Sequence, residues 1–209
     1  MLADPTSTYT MAGNAAMNRK IDDIIIASFF ATANTGADGS TAVPFPAANQ
    51  IAVNSWAYGV GSGNVGLTIS KLIEARIFLF GQEAVDDYDE PEPDGTYIAV
   101  TAKQIGNLLA TTEVTSKDFN MVQALVEGKI KRFMGFEFVR TERLQTDGSG
   151  YFRVPVWQKQ GVVLGCAEDL TMVSIDKRPD KNNAIQPYYE MVLGAARVEE
   201  GRVAEIKCL

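Results

Sequence analysis

Histidine is absent from this 209-residue sequence. That absence removes Ser–His and Cys–His nucleophilic pairs, imidazole acid–base catalysis and most catalytic zinc sites. Cysteine is nearly absent. Cys166 and Cys208 stand far apart and are too few for a zinc cluster; they read as two reduced thiols, with Cys166 buried in the apolar run GVVLGC. No run of about 18 uninterrupted apolar residues occurs, so no transmembrane helix is expected. The opening MLADPTSTYT lacks the basic start and apolar core of a secretory signal, and synthesis in the cytoplasm is the expectation. No catalytic, cofactor-binding or metal-ligating residue is assigned, no cofactor is expected, and the chain does not read as an enzyme.

What is present is an ordinary globular composition, 46% hydrophobic and 22% charged, in a chain long enough for one large or two small domains. The net charge of −7 is concentrated in one place. Residues 82–95, QEAVDDYDEPEPDG, carry seven acids (Glu83, Asp86, Asp87, Asp89, Glu90, Glu92 and Asp94) and no base, so the remainder of the chain is balanced. A concentrated Lys/Arg face for gripping DNA is not evident, although GKIKRF forms a small basic cluster.

Asp4-Pro5-Thr6-Ser7 is a helix-entry signal. Behind it, Met17, Ile21, Ile24, Ile25 and Phe29 share one helical face, predicting a single helix over residues 8–31 whose second half alone is deeply buried. Gly36 and Gly39 suit a tight loop. IAVNSWAY (51–58) predicts a strand, and Thr68 caps a helix through Phe80 on which Ile69, Leu72, Ile73, Arg76 and Ile77 share a face. TYIAVTA (96–102) reads as a buried strand entering the helix KQIGNLLAT. MVQALVEG reads as helical and KIKRFMGFEFVRTERL as a strand. GVVLGC, LTMVSID, YYEMVLGAARV and RVAEIKC read as further strands, the last two joined through Glu199-Glu200-Gly201 into a long hairpin. The mixed order, without regular βαβ alternation, predicts an α+β fold.

Three patterns invite chemistry. Gly61, Gly63 and Gly66 have the G-x-G-x-x-G spacing of a dinucleotide loop. However, the helix starts at Thr68, after all three glycines, and QEAV leaves no room for the second strand that should precede the ribose-binding acid. A flexible joint between domains is the favoured reading. The acidic stretch lacks the register of a calcium loop, and Pro91 and Pro93 hold it extended, so it reads as a solvated surface loop. Asp22 and Asp23, adjacent on a helix, point about 100° apart and make a poor acid–base pair.

Taken in order, DPTSTYTMAGNAAMNRKIDDIIIASFFATANTGADGSTAVPF, LTISKLIEARIFL with its acidic turn, YIAVTAKQIGNLLA, EGKIKRFMGFEFVRTERL and DLTMVSIDKRPDKNNAIQPYYEMVLGAARVEEGRVAEIKC resemble the major capsid proteins of tailed bacteriophages with the Hong Kong 97-type fold. The resemblance covers essentially the whole chain. It implies a peripheral domain (1–60 and 168–209) with a spine helix over 8–31, an antiparallel sheet and the C-terminal hairpin, and an axial domain (61–167) of mixed sheet plus helices. It implies a structural subunit that self-assembles into pentamers and hexamers of an icosahedral head. Such a head encloses double-stranded DNA without sequence-specific binding. Portal, scaffold or decoration proteins would be further partners, and no membrane is involved; the subunit would be made in the host bacterial cytoplasm and end in the virion capsid. Family members carry an N-terminal arm and an extended loop ahead of the DPTS segment, and this sequence reads as lacking both. Two other classes are a nucleotide-binding oxidoreductase using the Gly61-Gly63-Gly66 loop and a non-catalytic scaffold or adaptor that forms no symmetric rings.

Overall fold

The computed structural model describes residues 5–59, 61–83, 95–110 and 131–209. The Asp4 cap, the helix expected at 121–128, most of the acidic stretch and the start of the basic cluster lie outside the described residues. In chain order the elements are α1 (Pro5–Phe30), β1 (Ala33–Thr35), β2 (Thr41–Val43), β3 (Gln50–Ile51), α2 (Ile69–Gly81), β4 (Thr96–Val100), α3 (Ala102–Ala110), β5 (Arg132–Phe133), β6 (Phe136–Arg140), β7 (Phe152–Gln158), β8 (Val162–Arg178), β9 (Ala184–Arg197) and β10 (Val203–Cys208). The α+β class holds.

The chain divides into two compact units, Met1–Ile25 with Leu164–Ala195, and Ile26–Val163 with Ala196–Leu209. The boundaries expected at 60/61 and 167/168 fall inside the second unit and inside β8, respectively. α1 forms as its pattern predicts, at 26 residues and about 39 Å. Its described residues up to Ile25 are exposed or half-buried, and only Ile26, Ser28 and Phe29 near its end are buried.

In the first unit, α1 accompanies the β8–β9 ribbon. The structure differs here from the expected hairpin. GVVLGC and LTMVSID are one 17-residue strand, β8, which pairs with the 14-residue β9 to make a two-stranded sheet; β9 and β10 do not pair. The turn at Glu200–Arg202 instead leads β10 into a different sheet. Along β9 exposed residues alternate with half-buried Ile185, Pro187, Tyr189, Met191, Leu193 and Ala195, the period of a sheet covered on one face. Gly13 of α1 lies so close to Tyr189 that a Cβ there would sit 2.2 Å from its ring, and the Tyr189 hydroxyl donates to Tyr9 O at 3.1 Å. Cys166, expected to be buried, is exposed, at the rim of an open cleft lined by Met17, Ile21, Met191 and Leu193.

The second unit holds the core. Six strands run in the order β3-β10-β7-β4-β6-β5, with β10 antiparallel to β7, β7 antiparallel to β4, and β4 parallel to β6. Ile98, Val100, Val154, Val156, Ala204 and Ile206 are buried with Leu72, Ala75 and Leu79 of α2 and Ile105 and Leu108 of α3. β7, fully inside this sheet, carries Pro155, a residue that cannot donate to a ladder and so conceals a central strand from pattern reading; its pairing with β4 ends at Val156, one residue short of the proline.

Other local differences have physical causes. IAVNSWAY is not a strand beyond Ile51, because turns closed by Ser55 N donating to Ala52 O and Gly59 N donating to Trp56 O take over. The described part of the run expected as one strand, KRFMGFEFVR, is two strands folded about Met134 and Gly135, both at positive φ (53° and 81°), the requirement of a type I′ hairpin turn. α2 starts as expected, Thr68 Oγ1 accepting from Lys71 N. Its buried side is Ser70, Lys71, Leu72, Ala75 and Leu79, rotated from the expected face, which leaves Ile77 exposed.

Candidate functional site

The glycine-rich loop belongs entirely to the second unit and marks no boundary between units. Packing, in place of a free joint, accounts for two of the three glycines, Gly61 and Gly66, whereas Gly63 has open space at its Cβ and a φ of 82°. A Cβ on Gly61 would lie 2.6 Å from the Trp56 ring, and one on Gly66 would lie 1.9 Å from Asn107 Nδ2 and 2.8 Å from Asn107 Cβ. The Trp56 indole N–H donates to Gly63 O at 3.2 Å, which folds the loop over its own aromatic ring. Helix α2 begins at Ile69, beyond the glycines, so the third glycine is outside the first turn where a pyrophosphate would be bound. The strands before and after α2, β3 and β4, are separated in the sheet by β10 and β7. No adjacent parallel pair exists there to form a nucleotide crevice.

Buried ions form a second group that the sequence pattern did not single out. Lys71 has no exposed surface; its Nζ donates to Val65 O at 2.9 Å and to Lys207 O at 2.7 Å, tying α2 to the glycine loop and to β10. Burial lowers its pKa, against the pull of Cys208 and Glu74. Burial also pushes the Cys208 thiol up to about 12, Lys71 opposing. Glu205, fully buried, accepts both arms of Arg153, Nε to Oε1 at 2.7 Å and Nη2 to Oε2 at 2.9 Å, while that guanidinium lies 4.2 Å from the Phe30 ring centroid. The one available signal was Glu205 set within VAEIKC, a strand buried on both faces.

Arg197 is the third anchor. Its Nη1 donates to Phe29 O at 2.7 Å and to Ala31 O at 2.9 Å, its Nε pairs with Glu200 at 2.8 Å, and its guanidinium lies 5.0 Å from the Phe45 ring centroid. It caps the carbonyl end of α1, where a cation meets both orphan acceptors and the negative end of the helix dipole. All three arrangements find their partners within the same chain: Lys71 and Arg197 hold backbone carbonyls of distant segments, and Arg153 with Glu205 joins β7 to β10 side chain to side chain.

The acidic stretch beyond Glu83 lies outside the described residues up to Gly95, and among the described residues no group of three or more Cys, Asp or Glu could hold a metal ion. No described helix is long and apolar enough to cross a membrane.

Compared with known proteins, the chain matches the family described as phage capsid protein over residues 1–209. No curated protein matches it. Among solved structures it is similar to a chain of the cyanophage Pam1 capsid, with a TM-score of 0.67 and 14% identity over 100% of this chain and 70% of that one. It is also similar to chains from Mycobacterium phage Ogopogo, with a TM-score of 0.62 and 13% identity over 98% of this chain and 68% of that one, and from Mycobacterium phage Che8, with a TM-score of 0.60 and 14% identity. The Che8 match covers 95% of this chain, which spans only 61% of the Che8 chain. At these identities the likeness shows the fold, which is the Hong Kong 97 type; with the family match over its whole length, the chain belongs to the phage capsid proteins, a family of structural subunits and not of enzymes.

Proposed function

We propose that this chain is the shell-forming subunit of an icosahedral phage head, assembling through pentamers and hexamers into a wall that encloses double-stranded DNA without reading its sequence. The observation that carries this reading is the state of the first unit. Among its residues with described side chains none is buried, yet it displays Met17, Ile21, Val173, Met191 and Leu193 around a cleft and leaves Val173 51% and Val192 45% exposed. A helix beside a two-stranded ribbon is marginal alone, and apolar surface of this kind calls for cover by another chain. The described charges away from the acidic stretch are close to balanced, which suits a wall that contains DNA and does not grip it.

In this reading the peripheral domain comprises 1–60 and 168–209 and the axial domain 61–167. Portal, scaffold or decoration proteins are the further partners, the subunit is made in the host bacterial cytoplasm, and its destination is the virion capsid. Cryo-electron microscopy of the purified chain at high concentration, beside any longer version its gene encodes, tests the reading. Fivefold or sixfold rings, sheets or closed shells are expected; dispersed monomers from both versions would overturn it in favour of a non-assembling scaffold.

A further inference from the structure

Helix α2 is apolar on two sides. Leu72, Ala75 and Leu79 are buried in the core on one side. Ile73, Arg76, Ile77 and Phe80 share the other, at i, i+3, i+4 and i+7, and there Ile77 is 47% and Phe80 39% exposed. Exposed apolar side chains gathered on one strip of a helix mark an interaction surface, so the outward face calls for a partner. Arg76 lies 4.5 Å from the Phe80 ring centroid and its Nη1 donates to Gly135 O at 3.2 Å. That contact brings the face to the tip of the β5–β6 hairpin, beside exposed Lys131 and Arg132. The face is apolar with a basic border. One segment of the sequence is its complement: residues 83–94 hold the chain's whole excess of acids, interleaved with Val85 and Tyr88.

We propose that this α2 face of one copy receives the acidic segment 83–94 of the next copy, head to tail. The proposal deepens the shell-subunit reading and rests on it. A contact between two different surfaces of one subunit is heterologous, and such contacts close into rings when the rotation matches. Seven acids repeated around a ring would repel one another unless each segment met a cationic surface; the basic border provides it.

A charge swap between two variants tests this. The first carries Arg76→Glu and Arg132→Glu; the second carries Asp86→Lys, Asp87→Lys, Asp89→Lys, Glu90→Lys and Glu92→Lys, which takes the segment from −7 to +3. Each alone is expected to raise the concentration needed for ring formation at least about tenfold, as read by sedimentation velocity and native mass spectrometry. Mixed in equal amounts they should form even-membered rings again, sixfold ones above all, because alternating copies restore opposite signs at every contact. Circular dichroism checks that each is folded, and Ile77→Asp, a surface change expected to give the same loss, is the independent probe. Wild-type-like rings from each variant alone would overturn the proposal. So would loss without rescue in the mixture, which would place the segment against its own copy. Absence of rings from the unaltered chain and from any longer version its gene encodes would remove the shell reading itself, whereas unaltered rings with insensitive variants would remove only this contact.

Discussion

At the scale of single residues, the chemistry of this chain is that of ions and a thiol kept from water. Cys208 is buried with its pKa raised to about 12, while Cys166 is exposed on the ribbon. A maleimide should therefore label Cys166 promptly in the folded chain and reach Cys208 only after denaturation; mass spectrometry of tryptic peptides reads both, and equal labelling would contradict the burial. The Lys71–Cys208 pair also sets a pH dependence. Between about pH 9 and 12 the folded chain keeps the Cys208 proton that the unfolded chain has lost, so stability falls as pH rises, at up to about 1.4 kcal/mol per unit. Lys71 acts in the opposite sense. With its folded pKa lowered, the unfolded chain holds the proton longer, and stability rises toward the ordinary value of 10.5. The two slopes oppose each other in the wild type. Cys208→Ala should leave an upward alkaline slope and Lys71→Met a steeper downward one, measured as urea midpoints from pH 9 to 11. These partners lie far apart in the sequence, 71 against 207 and 153 against 205, and no local pattern announces them.

Among the elements, glycines distinguish packing from flexibility. Gly66→Ala would place a methyl 2.8 Å from Asn107 Cβ, a clash that side-chain rotation cannot relieve, and should cost about 1–3 kcal/mol. Gly135→Ala forces a φ of +81° on an L side chain and should cost about 1–2 kcal/mol. Gly106, exposed in the middle of α3 with nothing near its missing Cβ, is the reverse case: Gly106→Ala should stabilise by about 0.5–1 kcal/mol. Thermal melts of the three variants check the order, and a neutral Gly66→Ala would restore the flexible-joint reading. Local signals were strongest where one element sees its own period. α1, α2 and β4 followed from apolar spacing and a capping threonine. β7 was hidden by Pro155, and the β5–β6 turn by a methionine at a position that normally takes glycine or asparagine. The long hairpin was misplaced because an uninterrupted ribbon such as β8 is held by its cross-strand partner, which sequence spacing does not name.

For the whole molecule, the family was legible because the order of elements resembles one architecture from end to end, while the pairing of the C-terminal strands was not. Which strands share a sheet depends on long-range pairing: β10 joins β7 and β3, 45 or more residues away in sequence, in preference to its neighbour β9. The outcome is an uneven distribution of burial, with the whole core cluster in the second unit and no buried described side chain in the first. Local stability follows burial, and segments with few apolar contacts open at low free energy. In the dispersed chain, backbone amides of residues 164–195 should therefore exchange with deuterium within seconds to minutes, while β4, β7 and β10 stay protected for hours. In assembled shells the ribbon amides should slow by at least about a hundredfold, since cover by neighbouring copies supplies the burial that the lone subunit lacks. Mass-resolved exchange on both states distinguishes the possibilities. Protection of the ribbon in the dispersed chain equal to that of β7 would mean that the first unit is stable alone, and the subunit would then have no need of its neighbours to complete its fold.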